Sequence, residues 1–260
     1  MRQLSYDGSY EGLLTAIFEI YEYKIQQPSI VKSDRINGSL FADLHTVETN
    51  ELKANRVYKR IKEKITANAL SQLFKTFLSE ENDIENVIYR YIAYVLSSKQ
   101  PVENNFGHPD VLAVQQISRK VHREKHRMEA FVRFQLSKDN LYYALIQPDF
   151  NVLPLISNHF EKRYADQRWL IYDTHRKYGL YYDLTKVEEV QMEFRENMHS
   201  RNEVKNIIDE KEELYQKLWQ QYFSSVNIAA RKNTRLHIQH MPKRYWRWLT
   251  EKKGSVNGEY

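Results

Sequence analysis

The stretch RKVHREKHRMEAFVRFQ, residues 119–135, holds Arg119, Lys120, Arg123, Lys125, Arg127 and Arg133 together with His122 and His126. On a helix, Arg119, His122, Arg123, His126 and Arg127 fall in neighbouring i, i+3 and i+4 rows, so their donors can converge on phosphate oxygens. Such a row can track a nucleic-acid backbone. The plainer reading is a solvated helix face partly neutralised by Glu124 and Glu129. His122 and His126 also have the spacing with which two imidazoles share a metal. Arg123, however, stands where the metalloprotease pattern has its Glu, and a third ligand such as His159 or Asp149 would have to come from elsewhere. A phosphate-binding or hydrogen-bonding histidine pair is preferred, and no metal or other cofactor is assigned to the chain.

Two further segments carry cations beside flat rings. In DQRWLIYDTHRKYGLYYD, residues 166–183, apolar residues alternate with Tyr, Arg and Asp, and the turn holds His175, Arg176 and Lys177. Basic turns meet phosphates; Tyr172, Tyr181 and Tyr182 either stack on unpaired bases or pack under a neighbouring helix. The tail, residues 222–251, interleaves Arg231, Lys232, Arg235, Lys243, Arg244 and Arg247 with His237, His240, Tyr245, Trp246 and Trp248. That composition suits nucleic acid, partner docking or a terminal helix whose Trp residues cap a core. The nucleic-acid-binding candidates are Arg119, Lys120, Arg123, Arg127, Arg133, Arg176, Arg231, Lys232, Arg235, Lys243, Arg244, Tyr245 and Trp246. For catalysis the candidate acid, base or ligand groups are Asp149, Asp173, His122, His126 and His159, whose convergence in one cleft would mark an enzyme. Dinucleotide, ATP-loop and serine-hydrolase motifs are missing from the sequence.

The elements that must position these groups follow from periodicity. Asp7-Gly8-Ser9 reads as a turn and N-cap before a helix with Leu13, Leu14, Ile17, Phe18 and Tyr21 on one face. Pro28 and the polar stretch to Gly38 end it, and Leu40–Val47 reads as a strand or irregular segment. Helical zones follow over Glu51–Leu78 and from Asp83, the latter with Ile84, Val87, Ile88, Tyr91 and Val95 on one face. Ser97–Pro109 is the linker candidate. A helix capped by Asp110 should turn Val114, Ile117, Val121 and Met128 inward. Alternation over Ala130–Leu136 predicts a strand, with Leu141–Ile146 as its hairpin partner after a turn at Ser137–Asn140. A short helix over Leu155–Tyr164, a strand pair at Trp169–Tyr172 and Tyr178–Tyr182, and a long charged helix over Val187–Tyr222 complete the expectation. The fold class is α+β: a mainly helical N-terminal part (1–98), a linker (99–109) and a basic α+β part with a small antiparallel sheet and flanking helices (110–260), or one compact domain overall.

Composition bounds the function. Residues 1–110 have a net charge of −2 and residues 111–260 of +7, which suggests that one surface meets a polyanion. With no cysteine, the chain has no thiol nucleophile and no thiolate ligands for zinc or an iron–sulfur cluster. The N-terminus lacks the apolar stretch of a secretory signal, and the chain reads as cytoplasmic with no membrane partner.

YDGSYEGLLTAIFEIYE, RKVHREKHRMEAFVRFQ, QPDFNVLPLISNHF, DQRWLIYDTHRKYGLYYD and SVNIAARKNTRLHIQHMPKRYWRWLTE together resemble, in the same order, a bacterial domain-of-unknown-function family. Its members are labelled as DNA metabolism or DNA repair proteins and are associated with a radical S-adenosylmethionine protein. In some chains the domain is fused to a uracil-DNA-glycosylase-type domain. The resemblance implies a DNA-binding component acting on DNA beside that radical enzyme. Since this chain lacks thiolates, the cluster would belong to the partner. The alternatives are an enzyme acting on a nucleic-acid base or backbone through a His/Asp cleft, and an adaptor whose tail docks the radical enzyme.

Overall fold

The computed structural model describes residues 2–35, 43–137, 140–191 and 241–249. The chain divides into two compact units, Met1–His122 and Arg123–Tyr260, and the division falls inside one helix. Among the described residues no helix is long and apolar enough to cross a membrane.

The first unit is mainly helical. α1 (Tyr10–Glu22) begins where the Ser9 side chain accepts from the Gly12 amide at 2.9 Å, and its Leu13, Leu14, Ile17 and Ile20 are buried. The zone over Glu51–Leu78 is two helices, α2 (Glu51–Lys62) and α3 (Ala67–Phe77), each capped by a side chain, Asn50 and Thr66 respectively. α4 (Ile84–Ser97) follows, and then α5 (Pro109–Phe131), which continues into the second unit. Sequence periodicity missed a three-stranded parallel sheet: β1 (Arg2–Tyr6) lies between β2 (Pro28–Lys32) and β3 (Asp43–Thr46). Pro28, expected only to end a helix, opens the edge strand β2, a position that tolerates its missing N–H. β3 falls in the segment read as strand or irregular, and the pairing joins Arg2 to Pro28 on one side and to Asp43 on the other, which local periodicity does not record.

In the second unit β4 (Gln135–Leu136), β5 (Tyr142–Ile146), β6 (Trp169–Asp173), β7 (Tyr178–Tyr182) and β8 (Val187–Gln191) form one sheet in chain order. β5 and β6 run parallel and the other neighbours antiparallel, so the sheet is mixed. The parallel pair requires a crossover, supplied by α6 (Leu153–Arg163), whose Leu153, Ile156 and Phe160 are buried. Phe160 meets Trp169 with ring centroids 6.3 Å apart, and Trp169 stacks on Tyr182 at 5.5 Å. Tyr172 and Tyr182 are buried, which favours the packing reading for those rings.

Two expected elements are corrected. The strand over Ala130–Leu136 shrinks to Gln135–Leu136 because α5 runs to Phe131, and the Val132 amide still reaches Met128 O at 3.1 Å. Met128 and Val132 are thus buried at helical spacing rather than by strand alternation. The charged helix expected from Val187 begins instead as β8, where Val187 pairs with Tyr182 across a tight turn. A ready strand edge outweighs the weak helical preference of VEEVQ. The rest of that helix, residues 192–222, lies outside the described residues.

Candidate nucleic-acid interface

Because β5 and β6 are parallel, their carboxyl ends open on the same edge of the sheet, the place where open α/β sheets hold ligands. The chain leaving β5 there is Gln147-Pro148-Asp149, and the turn leaving β6 carries His175 and Arg176. Asp173, fully buried at the end of β6, fastens the two. Its Oδ1 accepts from the amides of His175 (2.9 Å) and Arg176 (3.2 Å), and its Oδ2 pairs with Arg176 Nη1 at 2.9 Å. The same guanidinium donates to the carbonyls of Pro148 (3.2 Å) and Asp149 (3.1 Å). A buried carboxylate thereby fixes an arginine that fixes the neighbouring loop.

The terminal segment closes the site. A 3₁₀ helix over Lys243–Trp248 places Tyr245 in the interior, where its ring lies 5.7 Å from that of Phe131. The Tyr245 hydroxyl donates to Glu124 Oε1 at 2.5 Å. Glu124, 1% exposed on α5, also accepts from Arg244 Nη2 (3.1 Å), Arg127 Nη1 (3.5 Å) and the Asp149 amide (3.0 Å). One buried carboxylate thus joins α5, the loop after β5 and the terminal helix. Burial, and then the hydrogen bond to Glu124, push the Tyr245 hydroxyl well above its ordinary range, so it stays protonated as a donor.

Between these elements lies a cleft of about 660 Å³ lined by Gln147, Pro148, Asp149, His175, Lys243, Arg244 and Arg247. Arg244 bridges to Asp149 Oδ2 at 2.7 Å. Lys243 and Arg247 lie over the rings of Trp246 (5.9 Å) and Trp248 (4.5 Å). Three permanent cations, one carboxylate and a histidine can bind a phosphate and orient what is attached to it.

Of the nucleic-acid candidates, Lys243 and Arg244 line the cleft, and Trp246 donates from its indole to Met241 O at 2.9 Å. Tyr245 and Arg176 make the internal contacts described above. Arg127 reaches Glu124, and Arg133 donates to the carbonyls of Ala130 (2.7 Å) and Val132 (3.3 Å). Arg119 and Lys120 are exposed in the first unit, Lys120 paired with Glu81 at 2.9 Å, and Arg123 is exposed at the start of the second. Arg231, Lys232 and Arg235 lie outside the described residues.

Of the catalytic candidates, His126 and His159 come together about Glu129. Their Nδ1 atoms are 3.1 Å and 3.8 Å from its carboxylate, and Lys125 Nζ is 2.9 Å away. Burial raises the Glu129 pKa, but the Lys125 hydrogen bond and the surrounding charges outweigh it and hold the carboxyl below its ordinary value. Asp149 lines the cleft, Asp173 is wholly buried, and His122 is exposed in the first unit. Among the described residues no group of three or more His, Asp or Glu is placed to hold a metal ion.

The hub Glu124 and the centre Glu129 went unrecognised in the sequence, where both read as surface neutralisers. A signal existed for Glu124: it shares a helical row with the inward Val121 and Met128, so its carboxylate had to point into the core.

The second unit is thus an α+β body with a mixed five-stranded sheet and a cationic cleft at the carboxyl ends of its parallel strands. The chain belongs to the family described as a domain of unknown function, DUF4130, whose family model matches residues 82–251. The match includes every described element of the second unit, and so the whole cleft. No curated protein matches the chain.

Proposed function

We propose that this protein is the DNA-binding component of a DNA metabolism or repair system, and that the cleft is where it takes the phosphate backbone. The observation that carries this reading is the convergence of Lys243, Arg244 and Arg247 on one concavity, beside His175. Lys243 and Arg247 rest on tryptophan rings, which leaves their charges available to an incoming anion.

The contact surface is narrower than the count of cations suggests. Arg127 and Arg176 are committed to the buried carboxylates of Glu124 and Asp173, and extracting them would expose those charges unpaired. Lys120 is different: exposed pairs such as Lys120–Glu81 are worth about 0–1 kcal/mol, which a phosphate can replace. Within the second unit the basic helix therefore offers chiefly Arg123 and the terminal helix offers Lys243, Arg244 and Arg247, while the first unit carries its own exposed Arg119 and Lys120. The resemblance to radical S-adenosylmethionine-associated proteins supports a partner that holds the iron–sulfur cluster, for which this chain has no thiolates.

The test is binding of labelled single- and double-stranded DNA at several salt concentrations. Affinity should fall steeply as salt rises, and Lys243→Gln with Arg247→Gln should weaken binding and flatten that dependence by about one unit of slope per cation removed. No binding, or binding indifferent to salt, rejects the reading.

A further inference from the structure

One member of the cleft has the wrong sign for its task. Asp149 is half exposed, and its carboxylate sits 2.7 Å from Arg244, at the position an anionic oxygen of a ligand would take. We infer that Asp149 is a resident competitor: its carboxylate occupies Arg244 until a DNA phosphate displaces it, and so it sets the affinity and salt dependence of the cleft. The inference rests on the reading of the cleft as a phosphate site.

The two sides of the pair are held very differently. Arg244 is anchored from behind by Glu124 at 3.1 Å and by the Tyr245 hydroxyl at 2.6 Å, and its guanidinium lies 4.6 Å from the Tyr245 ring centroid. It stays in place when Asp149 leaves. Asp149 is held through its backbone, since its amide donates to Glu124 Oε1 and its carbonyl accepts from Arg176. Its side chain can therefore swing out while the loop stays still.

Glu124, Tyr245 and Asp149 all meet Arg244 at the single nitrogen Nη2. That nitrogen has two hydrogens for three oxygens, and a guanidinium carries three more N–H donors on Nη1 and Nε. Asp149 is the most exposed of the three acceptors. Both forks of a guanidinium, Nη1–Nη2 and Nε–Nη2, include Nη2, so a phosphate that binds Arg244 with two hydrogen bonds meets Asp149 there, and the replaced carboxylate returns to water. Removing the Asp149 charge leaves three cations and no anion among the charged lining residues.

The experiment compares the full-length protein with Asp149→Asn in DNA binding across a salt series. Asp149→Asn should bind about three- to tenfold more tightly. Its log affinity against log salt should be steeper by up to about one unit, because no released carboxylate recaptures a cation. Asp149→Glu, which keeps the charge, should stay near the wild type in both respects, and this guards against a packing effect. Unchanged or weaker binding by Asp149→Asn, with salt-dependent binding by the wild type, overturns the competitor and leaves the DNA reading standing. If neither protein binds DNA at low salt, both fall.

Discussion

Glu124 Oε2 accepts from Arg244 Nη2 at 3.1 Å although 120 positions separate the two residues in the chain. The bond ties the terminal 3₁₀ helix to α5 through a carboxylate with almost no solvent. Removing one side of such an assembly leaves the other desolvated and unpaired. Glu124→Ala should therefore destabilise the protein by about 3 kcal/mol, because Tyr245, Arg244 and the Asp149 amide lose their acceptor together. Tyr245→Phe, which deletes one donor and keeps the ring, should cost about 1–2 kcal/mol. Urea unfolding measures both, and a Tyr245→Phe variant as stable as the wild type would show that the ring rather than the hydroxyl holds the helix.

Asp173 and Arg176 make the second internal pair, with side chains 0% and 9% exposed. Asp173→Ala should cost about 3–5 kcal/mol, since the arginine and two turn amides lose their partner. Replacing both residues, Asp173→Leu with Arg176→Met, should recover part of that loss by removing the orphaned charge. Thermal unfolding of the single and double variants checks the order. A double variant less stable than Asp173→Ala would show that the hydrogen bonds of Arg176 to Pro148 and Asp149 matter more than the ion pair.

Gly12 is required by crowding at the start of α1. A Cβ there would lie 2.2 Å from Asp7 Oδ1, 2.8 Å from Thr49 Oγ1 and 2.9 Å from Ser9 Oγ. Alanine normally favours a helix by about 1 kcal/mol over glycine, yet Gly12→Ala should destabilise by about 1–3 kcal/mol because it displaces Asp7 and the Ser9 cap. A rise in melting temperature would refute this.

Acid should destabilise the second unit in a defined window. The Thr185 hydroxyl, with the amides of Lys186 and Thr185, holds Asp183 down to about 2, from an ordinary value of 3.8. Glu129 is also held below its ordinary 4.5. A depressed carboxyl contributes stability that is present above its unfolded value and lost as pH falls through its folded one. Melting temperature should decline from about pH 4.5, and the part between about pH 4 and pH 2 should flatten in Asp183→Asn. A decline of unchanged shape in that variant would remove Asp183 from the explanation.

What the sequence determined by itself was local. The Ser9 cap, the inward row Val114, Ile117, Val121 and Met128, and the strands at Tyr142–Ile146, Trp169–Asp173 and Tyr178–Tyr182 follow from spacing within one turn or one pleat, which a linear reading sees directly. The parallel pairing of β5 with β6, the sheet β2–β1–β3 and the strand at Val187–Gln191 were decided by partners distant in the chain or by an available edge. The same held for the cations. Arg127, Arg176, Lys243 and Arg247 are equivalent in composition, and only folding assigned the first two to buried carboxylates and the last two to an open cleft. Burial and charge pairing depend on distance in space, and a chain that brings residue 244 to residue 124 does not write that distance into the neighbours of either.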